Sequence, residues 1–471
     1  MKFKKTIKEL GSDSIFYGLS SVAGQISALI LIPFYTEELA PETYATYGLL
    51  ALIITIMAPI SGLSIEGAYF RYNLNSDHNS KRIIFTNALI IKIFGNTIAS
   101  VLLIVGSTFI NRSIFGDQLN QFGIIYLIIA IWLESISSLF LANLRVNRRV
   151  KSFFIINIIT LIIGLILSIK FVLLDKKGLE GILTANLIAM SAKCIIGWIS
   201  IRSNITPKFK LKISKELLKY SLPKIPHRLC LFFIQSSTMI MVNFKMGLTF
   251  AGIYFVASKI SKPLNLVVTV FHQAWVPYRL KLHQQKNKLL IFKYIMSIYI
   301  ILILLLWTIL SIISPYIYDI LINPRYHLGI NYSPFILFVP VCNVFYFMFT
   351  TGYELHPNQR HIMYSTMFTT VIHVFCLYLF YHSSSPYNFI LLTALSFIVS
   401  SIFLRPKTTE VLAVKFPFLL IFSYFALCCI LIFSSYNIKN IVVDVTCVLI
   451  AIIFSYLSIN KTIRNIVNTN E

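Results

Sequence analysis

Apolar runs of about twenty residues, the length that crosses a hydrocarbon core at about 1.5 Å per residue, recur from one end of the chain to the other. Fourteen of them can be drawn, at roughly 14–34, 44–65, 83–109, 119–141, 153–174, 179–201, 220–242, 250–275, 290–314, 331–351, 362–381, 387–404, 416–434 and 440–459. The polar segments between them are short. The longest outside loop, roughly 315–330, is too small to fold as a domain. The pattern predicts an all-α polytopic membrane protein of about fourteen transmembrane helices, with its chemistry placed among the helices.

Composition agrees. Hydrophobic residues make up 57% and charged residues 12%, with a mean hydropathy of +0.78. Soluble domains carry roughly twice that share of charge. The net charge of +24 could indicate a nucleic-acid partner, so the placement of the cations decides. With the N-terminus inside, 27 of the 41 Lys and Arg residues fall in inside segments and 6 in outside loops. That asymmetry is the positive-inside signature of a multi-pass protein of the inner (plasma) membrane with both termini cytoplasmic, and it argues against nucleic acid. The first span lacks a small-residue cleavage site and reads as a true helix. None of the seven cysteines makes a CxxC or Cys/His ligand pattern, so they read as apolar packing residues with no metal site. No Walker loop, catalytic constellation or cofactor motif is present, and no enzymatic activity is expected.

The inside segment 202–219 carries six cations and divides the chain after the sixth span. A duplicated unit of six helices would re-enter the membrane in the same direction, as a parallel repeat. Phe70-Arg71-Tyr72 and Tyr278-Arg279-Leu280 close the second and eighth spans in the same way. The expected organisation is therefore an N-terminal six-helix lobe over 1–201, a basic cytoplasmic linker over 202–219, a C-terminal six-helix lobe over 220–404, and two extra helices with a cytoplasmic tail over 405–471.

Ionisable groups far from a membrane surface cost several kcal/mol, roughly 2.5–3.5 on insertion scales, and each asks for a reason. Three of the cations within spans lie near helix ends and can snorkel. Lys262 lies roughly 18 Å from either edge of its span, beyond that reach. Lys259, Lys262, Asn265, Thr269 and His272 follow helical spacing and form one polar stripe. On the preceding span His227, Gln235 and Thr238 share a face, with Arg228 beside it. Lys92 and Lys193 lie about a dozen Å from the inner edge, and Glu134 lies at similar depth. Glu134 serves either ion coupling or an ion pair with one of these lysines. Five cations (Lys92, Lys193, Arg228, Lys259 and Lys262) against that one carboxylate at depth leave positive charge suited to an anionic cargo such as a phosphate. Glu66 and Arg71, near the inner end of the second span, read as an interfacial salt bridge, with Glu66 a second candidate for ion coupling.

Several local sequences carry a resemblance: Gly18-Leu19-Ser20-Ser21 with Pro33-Phe34-Tyr35-Thr36, the stretch Tyr44 to Leu49, Tyr220-Ser221-Leu222-Pro223-Lys224-Ile225-Pro226-His227, Gly252-Ile253-Tyr254 with Lys259-Ile260, and Gln273-Ala274-Trp275-Val276-Pro277. In order and spacing, over roughly 14–280, the chain resembles the Wzx-type O-antigen flippases, the polysaccharide-transporter branch of the multidrug/oligosaccharidyl-lipid/polysaccharide (MOP) exporter superfamily. The resemblance implies two six-helix lobes around a cavity that opens alternately to each side. It also implies a cargo of undecaprenyl diphosphate bearing one oligosaccharide repeat unit, a lipid partner and, in lipopolysaccharide biosynthesis, a neighbouring polysaccharide polymerase machinery. On that reading Lys92, Lys193, Arg228, Lys259 and Lys262 attract the diphosphate, while Asn265, His272 and Gln235 hydrogen-bond the sugar. A polymerase or ligase of lipid-linked glycans would need a large external catalytic loop. A drug/cation antiporter of the related branch would need more carboxylates at depth. Removing the charge of Lys259 or Lys262 is expected to abolish surface polysaccharide while the protein stays in the membrane; normal polysaccharide in both variants would remove these residues from the site.

Overall fold

The computed structural model describes residues 2–74, 76–282, 288–354, 360–382, 385–412 and 418–467. The joint 413–417, which includes the first two residues of the thirteenth expected span, and the last four residues of the cytoplasmic tail lie outside the described residues. The chain is 91% helical, and the described residues contain no strand. In order the helices are α1 (Lys2–Glu38), α2 (Pro41–Ser61), α3 (Glu66–Leu74), α4 (His78–Val105), α5 (Ser107–Phe115), α6 (Gln121–Val146), α7 (Val150–Ile169), α8 (Gly178–Ile201), α9 (Leu211–Ser221) and α10 (Ile225–Ile260). There follow α11 (Lys262–Leu282), α12 (Lys288–Leu321), α13 (Ser333–Glu354), α14 (Arg360–Leu379), α15 (Pro386–Leu412), α16 (Phe418–Ile438) and α17 (Ile441–Val467). Short polar residues start several of them. Asp77 caps α4 by accepting the Ser80 N–H at 3.3 Å, and Asn120 caps α6 by accepting the Gly123 N–H at 2.9 Å.

These helices are built for an apolar solvent. The stretch Val150–Leu174 has a mean hydropathy of 2.6, yet 11% of it is buried, the reverse of a helix in a soluble protein. Large apolar side chains such as Leu102, Val105, Phe109, Leu419 and Phe433 are exposed. Helices satisfy their own backbone groups, the condition for crossing hydrocarbon. The protein is a multi-pass membrane protein.

Twelve helical stretches among the described residues are long and apolar enough to span. The difference from fourteen arises at two places. One stretch, Leu211–Ile260, joins the seventh expected span to the start of the eighth, and the chain turns inside it at Gly247 (φ 82°, ψ 177°). That backbone region is open almost only to glycine. The other place is Met363–Leu379, an apolar helix shorter than the rest. The eighth expected span is also not one straight helix. It breaks at Ser261, just before Pro263, so Lys259 lies in the last turn of α10 and Lys262 begins α11. The outside loop expected over 315–330 is mostly helical, because α12 runs through Pro315 to Leu321 and a 3₁₀ segment, Pro324–Tyr332, follows.

By contacts the chain forms two compact units, Met1–Phe255 and Val256–Glu471. This boundary describes packing, and the symmetry of six-helix repeats is a separate matter. In the first unit the core joins α3, α4, α6 and α9 through Ile65, Tyr69, Phe85, Phe140 and Leu217. The basic segment 202–219 is fastened to this unit. Arg82 donates to the Ile205 carbonyl at 2.9 Å, the Thr206 N–H donates to Thr86 Oγ1 at 3.1 Å, and Asn87 Oδ1 accepts from the Lys210 N–H and the Ser214 hydroxyl. In the second unit α16 and α17 pack on α12 around Ile312, Leu431, Cys447 and Ala451. Tyr316 on α12 also donates to Asp444 on α17 at 2.5 Å.

A Cβ on Gly247 would meet nothing within 4 Å, so Gly247→Ala tests backbone conformation alone. It is expected to destabilise the protein by about 1–3 kcal/mol, read as a lower midpoint of thermal unfolding in detergent. Gly164→Ala, on a helix with an ordinary neighbour at 3.5 Å, should not.

Candidate functional site

The site is a cavity of about 460 Å³ within the first unit, in the range of pockets that hold small ligands. It is lined by α2, α3, α6, α8 and α10. Successive lining residues on α6, namely Tyr126, Glu134, Ser138 and Arg145, follow helical spacing and cover roughly 28 Å of rise. One end is aromatic and amidic, with Tyr47, Tyr126 and Asn186; the other carries Glu66, Arg145 and Arg228. At the aromatic end Asn186 Nδ2 donates to the Tyr47 hydroxyl at 3.4 Å. Tyr47 is held by Tyr44, stacked at 6.1 Å, and by Phe255, edge-on at 6.1 Å.

The polar end is organised by Lys92, which has 0% exposure. Its ammonium donates to Glu66 Oε1 at 2.6 Å, to the Ser135 carbonyl at 2.6 Å and to Ser138 Oγ at 2.9 Å. The Ser138 hydroxyl donates to the same Glu66 oxygen at 2.6 Å. Local backbone geometry makes this meeting possible. α2 ends at Ser61, and the chain turns with Leu63 (φ 50°) and Ser64 (φ 49°) in the left-handed region, a costly conformation for side chains of this kind. Glu66 thereby starts a separate helix, at the terminus where a carboxylate is favoured. The room is made by missing side chains. A Cβ on Gly62 would lie 2.8 Å from Lys92 Nζ, and one on Gly95 would lie 2.0 Å from the Ser61 carbonyl oxygen.

A second pair stands one turn further along α6. Lys193 on α8 donates to both oxygens of Glu134, at 3.0 and 3.3 Å. This pair is less enclosed, with Lys193 15% and Glu134 35% exposed. Arg228 is exposed and has no ion-pair or hydrogen-bond partner among the described residues. Arg145 lies 5.7 Å from the Phe70 ring and 5.8 Å from the Phe153 ring.

The structure thus brings together Lys92, Lys193, Glu134, Glu66 and Arg228, and adds Arg145. Two points of the sequence reading are corrected. Glu66 pairs with Lys92; Arg71, its expected partner, instead sits 4.7 Å over the Tyr220 ring, because Glu66 and Arg71 leave α3 on different sides. There are accordingly two carboxylates at depth, and they occupy Lys92 and Lys193. Arg145 was hidden among loop cations, although it continues the stripe of Glu134 and Ser138. Gln235 is exposed on α10 and is not among the lining residues. Lys259, Lys262, Asn265 and His272 belong to the second unit. All four are half-buried. Asn265 donates to the Ser261 carbonyl at 3.2 Å, and the His272 ring packs 4.3 Å from that of Phe347. No group of His, Cys, Asp and Glu that could hold a metal ion occurs among the described residues.

Solved structures share this fold. The lipid II flippase MurJ, in an inward closed conformation, is similar over 97% of this chain and 99% of its own, with a TM-score of 0.68 and 15% identity. An inward-facing multidrug resistance MATE family transporter of the MOP superfamily is similar over 84% of this chain and 95% of its own, with a TM-score of 0.60 and 14% identity. A MOP superfamily transporter from Pyrococcus furiosus, described as having a binding pocket of reverse polarity that suggests a different function, is similar over 86% of this chain and 96% of its own, at a TM-score of 0.55 and 13% identity. The chain therefore shares its fold with these proteins. A search of curated protein sequences finds no match. Residues 10–283 match the polysaccharide biosynthesis protein family, and the chain belongs to it.

Lys92→Met, which leaves Glu66 buried without its partner, is expected to cost about 3–5 kcal/mol. The double variant Glu66→Gln/Lys92→Met should recover most of that loss in a thermal-unfolding double-mutant cycle.

Proposed function

We propose that the protein is a flippase that moves an undecaprenyl-diphosphate-linked oligosaccharide repeat unit, of the O-antigen kind, from the cytoplasmic to the periplasmic leaflet of the bacterial inner membrane by alternating access. The observation that carries the reading is the two-ended cavity of the first unit. Arg145 and Arg228 at one end suit phosphate oxygens, which guanidinium groups bind with paired donors. Tyr47, Tyr126 and Asn186 at the other suit a sugar, whose apolar ring faces stack on aromatics and whose hydroxyls need amide partners. A lipid-linked saccharide joins those two chemistries in one molecule. Family membership in polysaccharide biosynthesis and the fold shared with a lipid II flippase support the same class of cargo.

The proposal includes the two six-helix lobes, 1–201 and 220–404, as the moving bodies, with both termini cytoplasmic, as the 27 to 6 distribution of cations favours. It keeps Lys259, Lys262, Asn265 and His272 as cargo contacts supplied by the second lobe. A cationic drug as cargo fits the cavity less well, because both carboxylates already hold lysines.

Arg228→Ala and Arg145→Ala are each expected to weaken binding of farnesyl diphosphate to the purified full-length protein by about tenfold, the loss of one charge-assisted contact of roughly 1.5 kcal/mol. The double variant should lose surface polysaccharide while remaining in the membrane. Unchanged binding and normal polysaccharide in the double variant would exclude this cavity as the phosphate site.

A further inference from the structure

A second, smaller cavity of the first unit lies at the ends of helices. Its volume of about 40 Å³ gives room for about three water molecules, the bulk of a small oxyanion. The lining comes from the end of α3 (Tyr69 and Asn73), the start of α4 (Lys81 and Arg82), the end of α6 (Asn143, with Asn147 just beyond it) and Asn204 in the turn after α8. α4, α6 and α8 belong to apolar stretches of membrane length, so the cavity sits at the border of the hydrocarbon, within reach of lipid headgroups and of the water phase. Nothing in the lining is acidic. The two acids of 66–82 are engaged elsewhere, Glu66 by Lys92 and Asp77 by the Ser80 N–H. Lys81 and Arg82 have no ion-pair partner among the described residues.

Four amides and a phenol form one chain of hydrogen bonds around this cavity. Asn147 and Asn204 both donate to Asn143 Oδ1, at 3.0 and 2.9 Å, and Asn143 donates to the Tyr69 hydroxyl at 2.8 Å. The Asn73 amide meets the same hydroxyl at 3.0 Å, and its other polar atom is enclosed with no partner among the described residues, on a side chain 1% exposed. As a donor to Tyr69, Asn73 leaves the phenol proton without an acceptor and its own oxygen without a donor. Turned over, it accepts the phenol proton, and its NH₂ is the one group left free. Arg82 donates from Nη2 to the Ile205 carbonyl, while its buried Nε has no partner among the described residues. The cavity thus gathers two cations without counter-charges and N–H groups in excess of acceptors, a set that a buried site does not leave unused. We infer that it is a binding site for a phosphate group, held by Lys81, Arg82 and the Asn73 amide, because charged N–H donors make their strongest bonds to such oxygens. The inference is independent of the cargo proposed for the larger cavity, whose cations Arg145 and Arg228 do not line this one. Asn204 and Ile205 belong to the basic segment 202–219, so a bound phosphate also fastens that segment to α3, α4 and α6.

The experiment titrates inorganic phosphate and, separately, dihexanoyl phosphatidylglycerol into the full-length protein in detergent, at an ionic strength held constant with chloride, and reads the midpoint of thermal unfolding. It compares the wild type with Lys81→Met, Asn73→Ala and the double variant Arg145→Ala/Arg228→Ala. The Lys81 side chain has no hydrogen bond or ion pair among the described residues, so Lys81→Met keeps the test valid if Asn73→Ala does not fold. The expected outcome is that at least one probe raises the midpoint of the wild type. Its half-saturating concentration should rise about tenfold in Lys81→Met, the loss of one charge-assisted contact, rise also in Asn73→Ala, and stay at the wild-type value in the Arg145/Arg228 variant. A response to inorganic phosphate assigns the site to free phosphate; a response to the lipid alone assigns it to a headgroup. The same response in wild type and Lys81→Met, or none in the wild type to either probe, would overturn the inference. So would a response lost only in the Arg145/Arg228 variant, which would move the phosphate to the larger cavity.

Discussion

An ammonium group with no exposure to solvent, in a segment that crosses hydrocarbon, persists only where oxygens enclose it, and much of the first unit is arranged to enclose Lys92. The constraint explains features that would otherwise be unrelated. It accounts for the break after α2, which lets Glu66 enter on a helix of its own. It accounts for the glycines at 62 and 95, whose missing side chains admit the lysine and the close passage of the α2 end. It also gives a use to Ser135 and Ser138, which complete the shell from α6. The wall of the cavity is thus fixed from behind by one saturated charge.

The division between a closed pair and an open one gives the cavity its chemical character. Counting cations alone suggests a strongly positive chamber. In the folded chain Lys92 and Lys193 are each opposed by a carboxylate, and Arg145 and Arg228 are the cations among the cavity's lining residues. The aromatic end, where Tyr47 packs with Tyr44 and Phe255, gives the opposite wall an aromatic face.

Most of the architecture could be read along the chain, because apolar runs of membrane length and the one-sided placement of Lys and Arg are properties of composition over many residues. The motifs from Gly18 to Pro277 pointed to the family over almost the interval, 10–283, where the match is found. What could not be read depended on single backbone angles. Treating the second span as continuous to residue 65 placed Glu66 beside Arg71, and nothing in the local sequence announces that Leu63 and Ser64 turn left-handed. The stripe from Lys259 to His272 assumed one straight helix, although Pro263 was a visible reason to expect a break. Arg145 could have been found by extending the face of Glu134 and Ser138 one step past the expected helix end. That Lys92 and Lys193 need partners was legible from their place within apolar spans; which acid each would meet was a matter of tertiary packing.

The spacing of the two ion pairs along the chain has a consequence for how the protein is made. Glu66 and Lys92 lie 26 residues apart, on neighbouring elements of the growing polypeptide, whereas Glu134 and Lys193 are separated by 59 residues with α7 between them. The first pair can neutralise itself as one hairpin enters the bilayer during synthesis. The second has to wait, one charge already in the membrane, until α8 has been delivered. The Glu66–Lys92 pair is therefore closed early in biogenesis, and the Glu134–Lys193 pair only when the sixth crossing arrives.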